Sequence, residues 1–231
     1  MGCEMGRRMS VLYDIQRLGN EAEPLVIIDD FSEQFEALRQ TAEASTYTVT
    51  GPHYPGIRAQ ADPSYLGPQM AVLKDVLTKV FGYASGANLI ECAYSLVTTP
   101  PLKLTPIQRL PHFDSTDPKR LALLHYFGDA SSGGTAFYRH VSTGFETISQ
   151  ARHQAYTAAL QAEINKNGLP PAAYYAAGPL YERIGEVEAK PNRMVLYRGY
   201  RLHSGIIPTD VTLSTDPKQG RLTLNTFLQA R

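Results

Sequence analysis

The sequence predicts a mainly β fold with flanking helices, arranged as a sandwich or a jelly roll. From residue 89 onward, short β-type runs alternate with turns that contain Pro and Gly. Two amphipathic helical patterns precede these runs. Several short strands at loose spacing are typical of sandwiches and jelly rolls. Because 231 residues can bury one sizeable core, we expect a single domain over residues 1–231.

The first part of the chain predicts one strand and two helices. The run PLVII at 24–28 is β-type, and a helical pattern follows it with Phe35, Leu38 and Ala42 on one face. A second helical pattern covers 69–86 and ends at a Gly-containing segment. Its apolar positions are Met70, Leu73, Val76, Leu77 and Val80. We expect both helices to brace a sheet.

The β-type runs are interrupted once, by a longer segment. The runs are LIECAYSLV (89–97), LTPIQRL (104–110), LALLHYF (121–127), GTAFYRHV (134–141), MVLYRGYRL (194–202) and GRLTLNTFLQ (220–229). Residues 145–190 predict a helical insertion whose helix closes at Asn167-Gly168. A lid, a dimer contact and plain packing are all open roles for this insertion.

Composition and charge exclude several function classes. The 22 basic and 22 acidic residues balance and are scattered, so a nucleic-acid partner is not expected. Cys3 and Cys92 are too few for a disulfide framework, which favours a reducing, cytoplasmic location. No apolar run is long enough to span a membrane, and MGCEMGRRMS lacks the apolar core of a signal peptide. The oligomeric state stays open, with a homodimer as one option.

The last β-type run predicts a two-faced strand. Side chains of a strand alternate between its faces, so Leu222, Leu224, Thr226 and Leu228 share one side. The other side carries Arg221, Thr223, Asn225 and Phe227. One interpretation is an ordinary strand with a solvated face. The other is that the polar face lines a cavity.

The segment QRLPHFDS at 108–115 places His112 two residues before Asp114. About 0.6 such pairs arise by chance from 6 His and 22 acids in 231 residues, so the pair needs a partner. His203, at the end of another β-type run, is a candidate third ligand. Two His and one carboxylate leave coordination positions open on iron(II), as oxygenase chemistry requires. His53, His125, His140 and His153 lack a companion ligand and are interpreted as structural or surface residues.

Arg221 follows His203 by eighteen residues and can hold a carboxylate through two hydrogen bonds. Thr223 shares its face and can donate a further bond. An inward Arg therefore indicates an anionic cosubstrate. Further candidates for substrate contact are Asn225 on the same face, with His53 and Arg58 in a Pro/Gly-rich loop.

In this order and spacing, His112, Asp114, His203 and Arg221 resemble the iron(II)/2-oxoglutarate-dependent dioxygenases. The flanking sequence is most similar to the prolyl-4-hydroxylase-like branch, in LVIIDDF and in LALLHYFGDASSGGTAF. GTAFYRHVSTGFE, RLHSG and GRLTLNTF are also similar to a bacterial group of unknown function in this superfamily. The likeness covers most of the chain. The insertion is longer and more helical than that of the prolyl hydroxylases, so their substrate is not carried over.

The resemblance implies a double-stranded β-helix core, of the jelly-roll or cupin-like type. It implies iron(II), 2-oxoglutarate and O2, with a small-molecule or peptide substrate. Tyr126 matches a residue that bonds the 2-oxoglutarate carboxylate, with a core aromatic as the other interpretation. Asp114 favours hydroxylation, because halogenating members lack this carboxylate. Two alternatives remain: a cupin-like metal hydrolase or isomerase, and a non-catalytic jelly-roll binding module.

Overall fold

The computed structural model describes residues 13–231, which form two antiparallel β-sheets and three α-helices. Cys3 and the segment MGCEMGRRMS lie outside the described residues. In spatial order, the strands of the larger sheet are β1 (Asp14–Leu18), β2 (Glu23–Ile28), β9 (Met194–Arg198), β6 (Arg120–Tyr126), β11 (Arg221–Ala230), β5 (Ala87–Val97), β4 (Gly56–Gln60) and β3 (Thr48–Val49). The strands of the smaller sheet are β10 (His203–Ile206), β7 (Gly134–His140) and β8 (Tyr181–Glu188).

Two helices cover the outer face of the larger sheet, as predicted. They are α1 (Phe35–Ala44) and α2 (Met70–Lys79). Leu73, Val76 and Leu77 of α2 belong to the same apolar cluster as Leu222 and Leu224 of β11. Each fully buried side chain of this kind contributes about 1.5–3 kcal/mol. The apolar face of β11 therefore packs on the helices, and its polar face is turned to the other side.

The two sheets face each other across a second apolar cluster. Phe137 of β7 and Val187 of β8 pack there with residues of the larger sheet. The ring of Tyr197 on β9 lies 5.1 Å from that of Phe137, edge to face. The apolar contact closes one part of the space between the sheets, and a cavity occupies another part.

The run LTPIQRL was predicted as a strand, and this prediction is wrong. The structure has a 3-10 helix at Pro106–Arg109, and the Thr105 side chain and that of Gln108 form a capping box around its start. Pro106 has no N–H to give to a sheet, and its φ angle suits the first helical position. Local capping chemistry therefore outweighs the apolar pattern.

The insertion at 145–190 is only partly helical. Its helix is α3 (Gln150–Asn167), but β8 lies within the same range and pairs with β7. Only Tyr181 and Val187 of this strand are buried. Because four of its eight residues are charged and exposed, the run YERIGEVE lacks the apolar signal of a core strand. None of the helices within residues 13–231 is long and apolar enough to cross a membrane.

We propose that the two sheets and α3 belong to one domain, since the space between the sheets is shared. In this arrangement α3 is the loosely held element. Tyr156 is its single buried residue, whereas β11 is paired on both sides, by β5 and β6. We expect amide hydrogen exchange to be faster in residues 150–180 than in β11. Equal protection of the two segments would contradict this expectation.

His125 of β6 is buried at the edge of the helix-side core. Its Nε2 donates to Oδ1 of Asn192 (3.0 Å), while its Nδ1 is buried without a partner. Aromatic rings of Phe31, Phe35, Tyr65 and Phe127 surround the imidazole. Burial lowers the pKa of His125 to about 4, because the charged form would place an unpaired N–H in this apolar surrounding.

This buried histidine predicts acid-sensitive stability. In the unfolded chain His125 takes up a proton near pH 6.5. In the folded chain it does so only near pH 4. Stability from this group is thus present at pH 7 and is lost as pH falls through that window. Between pH 7 and pH 5 the loss should be about 2 kcal/mol. Urea unfolding of wild type and His125→Gln at both pH values measures it, and the variant should lose less stability on acidification.

Candidate metal centre

Reciprocal backbone hydrogen bonds hold His112 and His203 side by side. The N–H of each donates to the carbonyl of the other at 2.8 Å, an isolated antiparallel bridge next to β10. Directly opposed residues of such a bridge send their side chains to the same face. The two imidazole centroids are accordingly 4.4 Å apart. Residues ninety-one positions apart in the chain thus form one local pair.

Asp114 is brought to the pair by a second backbone contact. Its N–H donates to the carbonyl of Gly199 at 2.6 Å, just after β9. A Cβ at position 199 would lie 3.2 Å from both Cβ and Oδ2 of Asp114. A side chain at 199 would therefore crowd Asp114 and require it or its neighbour Arg120 to shift. Sequence reasoning did not single out Gly199.

The three side chains converge on one point. One ligand atom from each of His112, Asp114 and His203 lies within 4.8 Å of the other two. Nε2 of His203 is 3.7 Å from Oδ2 of Asp114, and Nε2 of His112 is 4.0 Å from Oδ1. Oδ2 of Asp114 is buried with no hydrogen-bond donor. An unpaired buried carboxylate oxygen facing two imidazoles fits a bound cation.

The backbone also sets the tautomer of His203. Its Nδ1 lies 2.8 Å from the Arg201 carbonyl, which can only accept, so Nδ1 carries the hydrogen. The lone pair of Nε2 is then directed at the carboxylate. A backbone carbonyl commonly fixes metal-binding histidines in this way. The ring of Tyr197 packs edge to face at 4.9 Å from the same imidazole.

Burial sets the ionisation of the group. It lowers the pKa of His203 to about 4, and it lowers that of His112 to about 4 with added repulsion from His203. His112 is desolvated by the cavity walls even though 52% of its side chain remains accessible from the cavity. Burial also raises the pKa of Asp114 to about 6. Near pH 7, the group therefore offers two neutral imidazoles and one carboxylate.

The three residues open into a cavity of about 930 Å³ between the sheets. The polar face of β11 forms part of its wall through Arg221, Thr223, Asn225 and Phe227. The cavity interpretation of this strand is therefore confirmed. Helix α3 forms another part, through His153, Tyr156, Thr157 and Leu160. The helix of the insertion is thus a wall of the cavity, a position that the sequence left open.

Arg221 is nearly buried but keeps one nitrogen free. Its Nε donates to the Ser132 carbonyl at 2.9 Å and its Nη2 to the Gly134 carbonyl at 2.8 Å. Within residues 13–231, Nη1 makes no hydrogen bond and the guanidinium has no carboxylate partner. Arg221 is 6% exposed, and Thr223, 2% exposed, lines the cavity beside it. A buried cation with a free donor can take an anion from the cavity.

Tyr126 is buried beside the residues that line the cavity and is not one of them. Its hydroxyl forms a 2.6 Å hydrogen bond with the Thr135 hydroxyl, and its ring belongs to the apolar cluster between the sheets. Thr135 lines the cavity instead. Tyr126 is opposite Thr223 in the register of β6 and β11, so the contact of its hydroxyl with a 2-oxoglutarate carboxylate stays a prediction beside the core-aromatic interpretation.

The three substrate candidates all line the cavity. Arg58 and Asn225 are on β4 and β11, and His53 is in the loop before β4. Sequence reasoning missed Tyr54 and Glu91, which line it as well. The phase of β5 offered a signal for Glu91, because Glu91 and Ser95 share the face opposite Cys92 and Tyr94.

The other four histidines differ in burial and in whether they line the cavity. His125 and His140 are fully buried and lie outside the three-residue group, in agreement with a structural role. His140 bonds Thr143 and Glu163, at 2.9 Å each. His53 and His153 are exposed and line the cavity.

A protein-family model covers most of the chain. Residues 9–228 match the model of a family of unknown function, DUF6445. The chain belongs to this family. No curated protein matches it.

Comparison of structures identifies the class of fold. HygX from Streptomyces hygroscopicus, solved with nickel, 2-oxoglutarate and hygromycin B, is 12% identical with a TM-score of 0.51, over 91% of this chain and 84% of HygX. The non-haem alpha ketoglutarate dependent carbocyclase SnoK from nogalamycin biosynthesis is 11% identical with a TM-score of 0.50, over 92% and 84%. A Pseudomonas putida prolyl-4-hydroxylase is 12% identical with a TM-score of 0.44, over 91% and 95%. The first two structures, with TM-scores of at least 0.50, show that the fold is a double-stranded β-helix.

The converging group predicts that each of its members is needed for metal binding. His112→Ala, Asp114→Ala and His203→Ala should each weaken iron(II) binding more than about 100-fold, since removing even an outer partner of a ligand costs about 10–100-fold. Anaerobic calorimetric titration measures the affinity, and circular dichroism reports whether the fold survives.

His153→Ala is the matched control, because His153 lines the cavity outside the group. It should bind iron(II) as the wild type does. Wild-type affinity in any one of the three variants would remove that residue from the site.

Proposed function

We propose that the chain is an iron(II)/2-oxoglutarate-dependent oxygenase that hydroxylates an amino-acid, peptide or other small-molecule substrate. The observation that carries the proposal is the shared cavity: two imidazoles, one carboxylate and a buried, unpaired guanidinium all face it. The first three side chains suit a metal with open positions, and the fourth suits an anionic cosubstrate. A cytoplasmic location, inferred from the cysteine content, stays a prediction.

His112, Asp114 and His203 would hold the iron. When bound, iron(II) would bring 2-oxoglutarate and O2 together and supply the oxidising chemistry of the superfamily. The carbonyl of Arg201 keeps Nε2 of His203 free of a hydrogen. Gly199 leaves room for Asp114, whose carboxylate favours hydroxylation over halogenation. Tyr197 holds the His203 ring from the side.

Arg221 and Thr223 would bind the distal carboxylate of 2-oxoglutarate. The carbonyls of Ser132 and Gly134 hold the guanidinium in place, so ligand binding does not include the entropic cost of ordering it. The charges of a divalent cation, Asp114, doubly negative 2-oxoglutarate and Arg221 would balance. A buried site with balanced charge avoids the large desolvation cost of an unpaired ion.

A water-activating hydrolase or isomerase is the competing use of the same three ligands. Such a site needs no cation behind the metal. Arg221, held by two carbonyls with one nitrogen free, therefore favours the oxygenase. A non-catalytic binding module has no use for neutral imidazoles that converge on a carboxylate.

The proposal predicts a ternary complex with a visible charge-transfer band. Anaerobic addition of iron(II) and then 2-oxoglutarate should produce the band, whereas either addition alone should not. Arg221→Leu should bind iron(II) nearly as the wild type does and bind 2-oxoglutarate more weakly, by roughly 2–5 kcal/mol, because one partner of a buried charge pair is gone.

Thr223→Val is a companion variant that keeps the shape and removes only a hydroxyl. It should weaken 2-oxoglutarate binding by about 0.5–1.5 kcal/mol, the usual net value of one hydrogen bond. Absence of the band in the wild type would refute the oxygenase. Unchanged 2-oxoglutarate affinity in Arg221→Leu would refute the assignment of this residue.

A further inference from the structure

A polar niche lies in the larger sheet, beside the residues proposed for the cosubstrate. Strand β5 runs between β4 and β11, and its cavity-side residues Ala93 and Ser95 are small. In the register, Arg58 of β4 is opposite Ser95, and Asn225 of β11 is opposite Ala93. Two strand spacings separate the outer strands by roughly 10 Å. Ala93 and Ser95 are themselves covered, and the two larger polar side chains on either side of them line the cavity.

The niche contains polar atoms that the fold leaves unpaired. Nη1 of Arg58 donates to Oε1 of Glu91 at 2.9 Å, and its guanidinium lies 4.3 Å from the centre of the Tyr54 ring. Nε of Arg58, the hydroxyl of Tyr54 and Oδ1 of Asn225 are buried with no hydrogen-bond partner. Buried polar atoms are rarely left unpaired in folded proteins, so three of them in one cavity wall indicate a polar ligand.

The chemistry of the niche is balanced between donors and acceptors. Arg58 and Tyr54 offer donors and one positive charge. Glu91 and Asn225 offer acceptors and one negative charge, and Glu91 keeps 43% of its side chain exposed. A ligand group that complements both halves carries an anion and a cation close together. The α-carboxylate and α-ammonium of an amino acid have this arrangement.

The niche and the metal ligands share one cavity, and apolar residues of the same wall connect the two. Arg58 and Glu91 line this cavity together with His112 and Asp114. Crossing the sheet from β11 through β6 to β9, the cavity-facing residues are Phe227, Leu124 and Tyr197. An apolar or aliphatic side chain anchored at the niche would lie along this strip toward His203.

We propose that the substrate is a free α-amino acid whose carboxylate binds Arg58 and Tyr54 and whose ammonium group binds Glu91 and Asn225. This inference rests on the proposed oxygenase function and names its substrate class. The niche would thus determine specificity, and the apolar strip would present the amino-acid side chain for oxidation.

The test uses the anaerobic complex of the whole chain with iron(II) and 2-oxoglutarate. The twenty proteinogenic L-amino acids are the probes, and a change in the visible band on titration reports binding. At least one of them should bind with a Kd of millimolar or below. The best binder is then compared with its des-amino acid and with its carboxamide, each of which lacks one of the two charges.

Two variants should separate the two halves of the niche. Arg58→Gln should weaken binding of the amino acid and of the des-amino acid on the order of 30-fold or more, and leave the carboxamide within about threefold. Glu91→Gln should weaken the amino acid and the carboxamide on the order of 10-fold, and leave the des-amino acid unchanged. Arg183→Gln is the matched control, since Arg183 is an exposed β8 residue paired with Glu186 outside the cavity.

The outcomes distinguish a failure of this inference from a failure of the proposed oxygenase function. If no band forms with iron(II) and 2-oxoglutarate, the proposed function fails and the inference falls with it. If the band forms and no amino acid perturbs it, the inference is overturned and the oxygenase stands. If both variants weaken both analogues equally, the Arg58–Glu91 pair is only structural, and the inference is again overturned.

Discussion

The reciprocal backbone bridge between His112 and His203 is the constraint on which the site depends. Antiparallel pairing places directly opposed side chains on one face, and a slip of one residue would turn one imidazole away. The same bridge ties the loop after the 3-10 helix to the smaller sheet. Asp114 follows two residues on, and its bond to Gly199 adds the larger sheet. Three backbone hydrogen bonds therefore fix the backbone positions from which the three side chains converge.

Unpaired buried polar groups in a cavity wall cost folding free energy. Arg221 is secured by two carbonyls, and Arg58 by Glu91 and the Tyr54 ring. Each cation is thus held in one orientation while part of its donor capacity faces the cavity. Pre-ordered donors lower the entropic cost of binding an anion. The donors of the cavity wall are therefore ordered before any ligand binds.

The insertion helps to complete this cavity. Helix α3 supplies one wall, and two polar contacts fasten it to the smaller sheet: His140 bonds Glu163, and the Tyr156 hydroxyl bonds that of Tyr181 at 2.7 Å. Apolar burial of α3 is slight, with Tyr156 alone fully covered. A wall held by a few polar contacts can shift more readily than a strand paired on both sides. We therefore propose that α3 is the part of the cavity wall that moves most readily.

Sequence alone determined the features that local periodicity encodes. The phase of β11 separated the cavity face of Arg221 and Thr223 from the core face, because alternation within a strand needs no partner. The motif spacing likewise brought His112, Asp114 and His203 forward as one group. Tertiary structure decided what depends on pairing: that the Tyr126 hydroxyl bonds that of Thr135 on the smaller sheet, that β8 is a strand of the smaller sheet, and that Arg58 and Asn225 line one cavity. Which strands flank β5 is a property of the folded sheet that no local pattern contains.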